Sequence, residues 1–173
     1  MPTAARPAWH ASAVIDGYVY ILTLVAAVGS GVVAGAFLVF SVMVMRALRQ
    51  LPPAQGLAAM QAINVAAVRP IFMTALFLPA LACVVLVITA LIRWGESGFA
   101  LVLAGSAAYL VGSIALTIAF HVPRNDALAT VEPGSPDMEA RWTRFAASWT
   151  AGNHVRTIAS LLAAVLLTIA LTR

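Results

Sequence analysis

Three short stretches hold most of the side chains capable of chemistry in an otherwise apolar chain: "AAMQAINVAAVRP" (58–70), "FHVPRNDAL" (120–128) and "WTAGNHVRT" (149–157). In the first, Gln61 and Asn64 are three residues apart, so on a helix both amides point the same way. In the second, Pro123 is expected to stop a helix, Arg124 suits the negative helix end, and Asn125 and Asp126 close a turn through their side chains. His121 has no such role, because ending a helix does not call for an imidazole. In the third, Trp149 and Asn153 are four apart and Asn153 and Arg156 three apart, which makes one helical stripe. His154 lies about 100° round from Asn153.

Each stretch also has a plainer explanation. An interfacial helix, a helix end, a tryptophan anchor and a cytoplasmic-side arginine account for many of these residues one at a time. Taken together, Gln61, Asn64, His121, Asn125, Trp149, Asn153, His154 and Arg156 supply imidazoles, amides, a guanidinium and an indole. A few convergent polar groups over an apolar floor is the make-up of a ligand pocket.

The elements that must position these residues are membrane helices. Of 173 residues, 62% are hydrophobic and 9% charged, and the mean hydropathy is +0.98. A soluble domain carries about 25% charged residues, so this chain's solvent is partly lipid. Four uncharged runs are long enough to matter: 18–45, 71–92, 99–120 and 157–172. About 20 residues cross a hydrocarbon core of roughly 30 Å, so the last run, of 16, is short. Its preceding turn is expected to be drawn inward, giving a fourth span at about 153–172 with Asn153, His154 and Arg156 at the hydrocarbon edge. A helix at about 55–69 is expected to lie at the interface. The expectation is an all-α, integral membrane four-helix bundle forming one domain.

All ten basic residues are arginines at the ends of apolar runs, which fits membrane topology and not a nucleic-acid face. Seven arginines in 46–70 and 121–156, against three elsewhere (Arg6, Arg93, Arg173), place those loops in the cytoplasm. A multi-pass protein of the cell (inner) membrane with both termini outside follows. The first three spans hold no ionisable residue of the Asp, Glu, Arg, Lys or His type, which argues against an ion-coupled transporter. The single Cys83 excludes an intrachain disulfide and a multi-thiolate metal site. Pro79 should kink the second span. Small residues every fourth position (Ala27, Gly31, Gly35; Ala104, Ala108, Gly112) suit close helix packing within the chain or in a homo-oligomer.

The segments "VMRALRQLPPAQGLAAMQAIN", "HVPRNDALA" and "WTAGNHVRT", in this order, resemble the anthrone oxygenase family of small four-helix integral membrane proteins. The resemblance covers about residues 20–172, with matches at Asn64, Pro123, Asn125, Asn153 and Arg156. It implies an oxygenase acting on a lipophilic, anthrone-like aromatic with molecular oxygen as co-substrate. An anthrone's acidic methylene loses a proton to give an anion that itself reduces oxygen, so no organic cofactor is obligatory. On this reading His154 or His121 is the base, Arg156, Asn153 and Asn64 stabilise the oxyanion, and Trp149, Gln61 and Asn125 hold the rings. A metal version uses His121, His154 and Asp126 for iron, or the two histidines for copper or haem; His10 is expected on the opposite side. The other class is a non-enzymatic membrane protein that binds a lipophilic small molecule or assists a partner protein. The two differ in whether His154 and Arg156 turn inward with Asn64 or splay into the headgroups.

Overall fold

The computed structural model describes residues 8–173, with side chains from Gly17 onward; Arg6 and the His10 side chain lie outside the described residues. Helix α1 (Ala8–Val39) passes through a widened π turn (Phe40–Val44) into α2 (Met45–Gln50). Then come α3 (Pro53–Ala67), α4 (Pro70–Ile92), α5 (Phe99–Tyr109), two π stretches (Leu110–Ala115 and Thr117–His121), α6 (Val122–Ala129) and α7 (Met138–Ala170). Proline opens α3 and α4, where a missing amide costs nothing because first-turn amides have no partner. Gly98, at φ +82°, supplies the left-handed turn that starts α5.

Four rods are long and apolar enough to cross a membrane: Gly17–Gln50, Pro70–Ile92, Phe99–Ala129 and Met138–Ala170. They form an all-α four-helix bundle in which α1 packs on α4 and α7, and α5 packs on the same two helices. Residues such as Val32, Leu81, Ile88, Ile118 and Ile158 are exposed on the outside of the ring, as a lipid-facing surface requires. The chain is a multi-pass membrane protein.

Close approach is obtained at particular glycines. A Cβ on Gly29 would lie 2.8 Å from Pro79 Cβ, so the glycine receives the ring of the α4 proline. Gly112 meets Ala159 of α7 in the same way. The four-residue ridges are only partly used: Ala27 is buried, but Gly35 and Ala104 face outward.

Two local expectations are corrected. Pro123 does not stop the third span, which continues to Ala129. The wider turns at Thr117–His121 change the hydrogen-bond register just ahead of the ring, and the Val122 amide reaches back to the Thr117 carbonyl. The turn is not drawn inward ahead of residue 153 either; α7 is regular helix from Met138, 33 residues long. It keeps its polar residues by turning Trp142, Trp149, Asn153 and Arg156 into the protein. Just before it, Asp137 accepts a hydrogen bond from Arg141 at 2.7 Å, which holds its carboxyl below the usual range.

The interior divides into two apolar clusters. One, around Leu86, Tyr109, Ala163 and Leu167, fills the membrane-spanning ring. The other, around Met45, Leu57, Met60, Leu128, Trp142 and Phe145, packs α3 and the loop after α6 onto α2 and α7. Gly56 permits this cap, because a Cβ there would lie 2.6 Å from the Leu48 carbonyl and 3.0 Å from the Trp142 ring.

Candidate functional site

A cavity of about 130 Å³ lies at the seam between the two clusters. Its walls are apolar and aromatic: Phe37 and Phe40 from the first span, Met60 and Ile63 from α3, Phe72, Met73 and Leu76 from α4, and Trp149 from α7. Its polar groups are Asn64, Thr117, His121, Asn125 and Arg156. Val68 and Val122 also line it while being 69% and 44% exposed, so its rim reaches the outer surface. All three π stretches belong to helices that line it, and two of them contribute residues: Phe40, and Thr117 with His121. Widened turns of this kind recur at functional sites because they redirect side chains.

Arg156 is the dominant charge. It is 5% exposed and makes no ion pair among the described residues. Its Nη1 donates to Thr117 Oγ1 at 3.1 Å and its Nη2 to Asn153 Oδ1 at 2.6 Å. The guanidinium lies 4.2 Å from the Phe37 ring centre and 5.3 Å from that of Trp149. Rings of this kind attract a cation through their quadrupole, more strongly when water is excluded. Its Nε is buried with no hydrogen-bond partner, and so is Nδ2 of Asn64. Buried donors are nearly always paired, so two unpaired ones on one cavity call for an acceptor there.

Asn153 stands behind the arginine, fully buried, and does not line the cavity. Its Nδ2 donates to the Phe37 carbonyl and to Ser41 Oγ, both at 2.7 Å, which locks the amide so that its oxygen faces Arg156. Thr117 is oriented by donating to the Ser113 carbonyl at 2.6 Å. Trp149 Nε1 donates to Asn125 Oδ1 at 3.0 Å, which ties α7 to α6 at the rim.

His121 is 1% exposed, with its ring edge-on to Trp149 and to Phe120. Its nitrogens lie 3.4 Å from the Leu116 and Trp149 carbonyls, long contacts at the edge of hydrogen bonding. Gly152 makes room for it, since a Cβ there would come within 2.5 Å of Phe120 and 3.0 Å of His121.

Five of the eight expected residues therefore share the cavity: Asn64, His121, Asn125, Trp149 and Arg156. Asn153 supports them from behind. Gln61 faces elsewhere: its Nε2 donates to the Leu128 and Val131 carbonyls at 2.9 and 3.0 Å, bracing α3 against the end of α6. His154 is exposed and lines a separate groove with Arg46 and Arg49, because one residue's rotation from Asn153 carries it to the outside of α7. The expected trio of His121, His154 and Asp126 does not converge: Asp126 is exposed as well, and no group of three His, Cys, Asp or Glu suited to a metal occurs among the described residues. The two histidines do not form a copper or haem pair for the same reason. Phe37, Ser41, Thr117 and Gly152 were not expected. Ser113 and Thr117, four apart in an uncharged span, were the available signal for one of them.

A family model described as anthrone oxygenase matches residues 69–166, 98 of the 173 residues and so more than half of the chain. The match takes in His121, Asn125, Trp149, Asn153 and Arg156. No curated protein and no solved structure matches.

Proposed function

The chain belongs to the anthrone oxygenase family, and from that premise we propose that it is a membrane-embedded oxygenase acting on a lipophilic, anthrone-like aromatic with molecular oxygen. The observation that carries this reading is the pair of unpartnered donors, Arg156 Nε and Asn64 Nδ2, on an aromatic cavity that also holds a buried imidazole. A cation without a partner carboxylate is suited to a ligand that becomes negative during reaction.

His121 takes the role of base in place of the outward-facing His154. It removes a proton from the substrate methylene, and the charge that moves onto the ring ketone oxygen is met by Arg156 and Asn64. Donors placed where charge develops are worth about 10²–10³ in rate each. The anion gives its electrons to oxygen. Loss of the second methylene hydrogen then yields a carbonyl, with one oxygen atom in the product and the other in water. The methylene supplies all four electrons, so no further reductant enters. A cavity of about 150 Å³ accommodates benzene. The enclosed space of about 130 Å³ thus suits one oxygen-bearing ring, with the remaining rings toward Val68, Val122 and the lipid.

One observation favours a second reading, in which the protein binds such a molecule without turning it over. Both His121 nitrogens face backbone carbonyls, so the lone pair a base needs is aimed at an acceptor. Oxygen uptake by detergent-purified protein given an anthrone separates the two, with boiled protein as control for spontaneous oxidation. Catalysed uptake that falls about 10²-fold in His121→Gln supports the oxygenase. Uptake no faster than the boiled control, with ligand still bound, supports the binding protein. Uptake is expected to withstand a chelator; loss on chelation and return with iron or copper would overturn the cofactor-free route.

A further inference from the structure

On the outer face of α7 a groove of about 390 Å³ separates it from α2 and the π turn before α2. Arg46, Arg49 and His154 line it, together with the hydroxyl of Thr150. No acidic residue is among its lining. Arg49 is fixed in place by donating to the Ala146 carbonyl and to Thr150 Oγ1, the latter at 3.1 Å. Arg46 and His154 are exposed and have no polar partner among the described residues. The carboxylate nearest in this region, Glu139, lies in the adjoining groove that shares Arg49.

The depth of the groove identifies its occupant. Arg46 follows directly on the uncharged run 18–45, and His154 precedes the uncharged run 157–172 by three residues. Both therefore sit at the polar edge of the hydrocarbon. On the membrane side of them, Val42, Met43, Val155 and Ile158 are all more than half exposed. One face thus offers basic groups at headgroup level and bare aliphatic side chains directly below, the arrangement of an anionic phospholipid with its acyl chains. Basic pockets between membrane helices bind such headgroups.

We propose that this groove binds the phosphate of an anionic phospholipid from the leaflet at the arginine-rich end of the bundle, through Arg46, Arg49 and His154. The groove is joined to the cavity through a single residue. Ser41, which lines the groove, accepts from Asn153, and Asn153 accepts from Arg156. A bound headgroup therefore touches the hydrogen-bond chain that aims the cavity's cation. The site itself stands whether or not the cavity is catalytic.

The test is lipid titration of the full-length protein in a neutral detergent, read by native mass spectrometry and by thermal midpoint. The probes are phosphatidylglycerol, phosphatidylcholine and inorganic phosphate. Phosphatidylglycerol is expected to stay bound and to raise the midpoint, with phosphatidylcholine weaker and inorganic phosphate without effect. Arg46→Gln is expected to weaken phosphatidylglycerol about fivefold, the worth of one arginine near a headgroup, and His154→Gln to weaken it in the same sense. Arg69→Gln, which removes an exposed arginine outside the groove, is expected to leave it unchanged. Inorganic phosphate that binds as well as the lipid would overturn the lipid assignment in favour of a free anion. Equal losses in Arg69→Gln and Arg46→Gln, or undiminished binding in both groove variants, would overturn the site.

Discussion

Consider Arg156→Met. The substitution removes a guanidinium that is 5% exposed, faces no acid among the described residues, and is held by Thr117, Asn153 and two aromatic rings. Its loss leaves Asn153 Oδ1 without its donor, at about 1–3 kcal/mol. The contact over Phe37 is worth about 2 kcal/mol when desolvated. Thr117 still donates to Ser113 and loses little. Against these costs stands relief of the desolvation penalty for a buried ion, several kcal/mol in a protein interior. The two sides nearly cancel, so stability should change by no more than about 2 kcal/mol, or roughly 4–8 °C in thermal midpoint. Removing one partner of a paired buried charge would instead cost about 3–5 kcal/mol. Anthrone-dependent oxygen uptake should fall about 10²–10³-fold, the value of a lost oxyanion donor. The assay is uptake and thermal midpoint on the same detergent-purified sample, beside Arg156→Lys, which keeps the charge but loses the planar fork. A fall in midpoint beyond about 10 °C, with unchanged uptake per folded molecule, would show that Arg156 holds the bundle together and does not serve a ligand.

Gly152→Ala should gain about 1 kcal/mol of helix propensity yet lose about 1–3 kcal/mol to overpacking against Phe120 and His121. Uptake should then drop further than the midpoint does, and an unaltered uptake would count against His121. Gln61→Leu removes two hydrogen bonds from α3 to the carbonyls of Leu128 and Val131, and should cost about 1–2 kcal/mol. Hydrogen exchange should quicken in 128–131 and hardly change in 71–92; equal change in both would contradict a local brace. In detergent, His121→Gln should reduce uptake at least about tenfold more than His154→Gln, since a positioned base contributes about 10²–10⁴. The reverse order would return the base to the outer face of α7.

Much of the architecture was legible because each span announces itself through composition. The stripe of Trp149, Asn153 and Arg156 was legible for the same kind of reason: helical spacing alone puts those three on one side, and the structure buries all three. The same arithmetic sets His154 apart, and it was retained only because the fourth span was taken to begin near residue 153. Once α7 starts at Met138, His154 is an interior helical residue whose direction is fixed by its neighbours. Gln61 looked like Asn64 because the two share a helix face. What distinguishes them is the position of two carbonyls 67 and 70 residues away, which no local pattern reports. Pro123 misled because the local rule holds for a regular helix, and the turns ahead of it are not regular.

Those wide turns have a consequence for how this protein can change over time. A π turn is an α-helix carrying one surplus residue, and it survives only while the surplus does some good. Deleting one residue within 117–121 would let the third span close into ordinary helix, and everything beyond it would swing by about 100°. Asn125 would leave Trp149, and Gln61 would lose both of its carbonyls, without any of these side chains having mutated. The aim of the cavity is thus encoded in residue count as well as residue identity. Insertions and deletions in the third span should be as disabling as substitutions at Arg156, while the apolar residues around them drift freely.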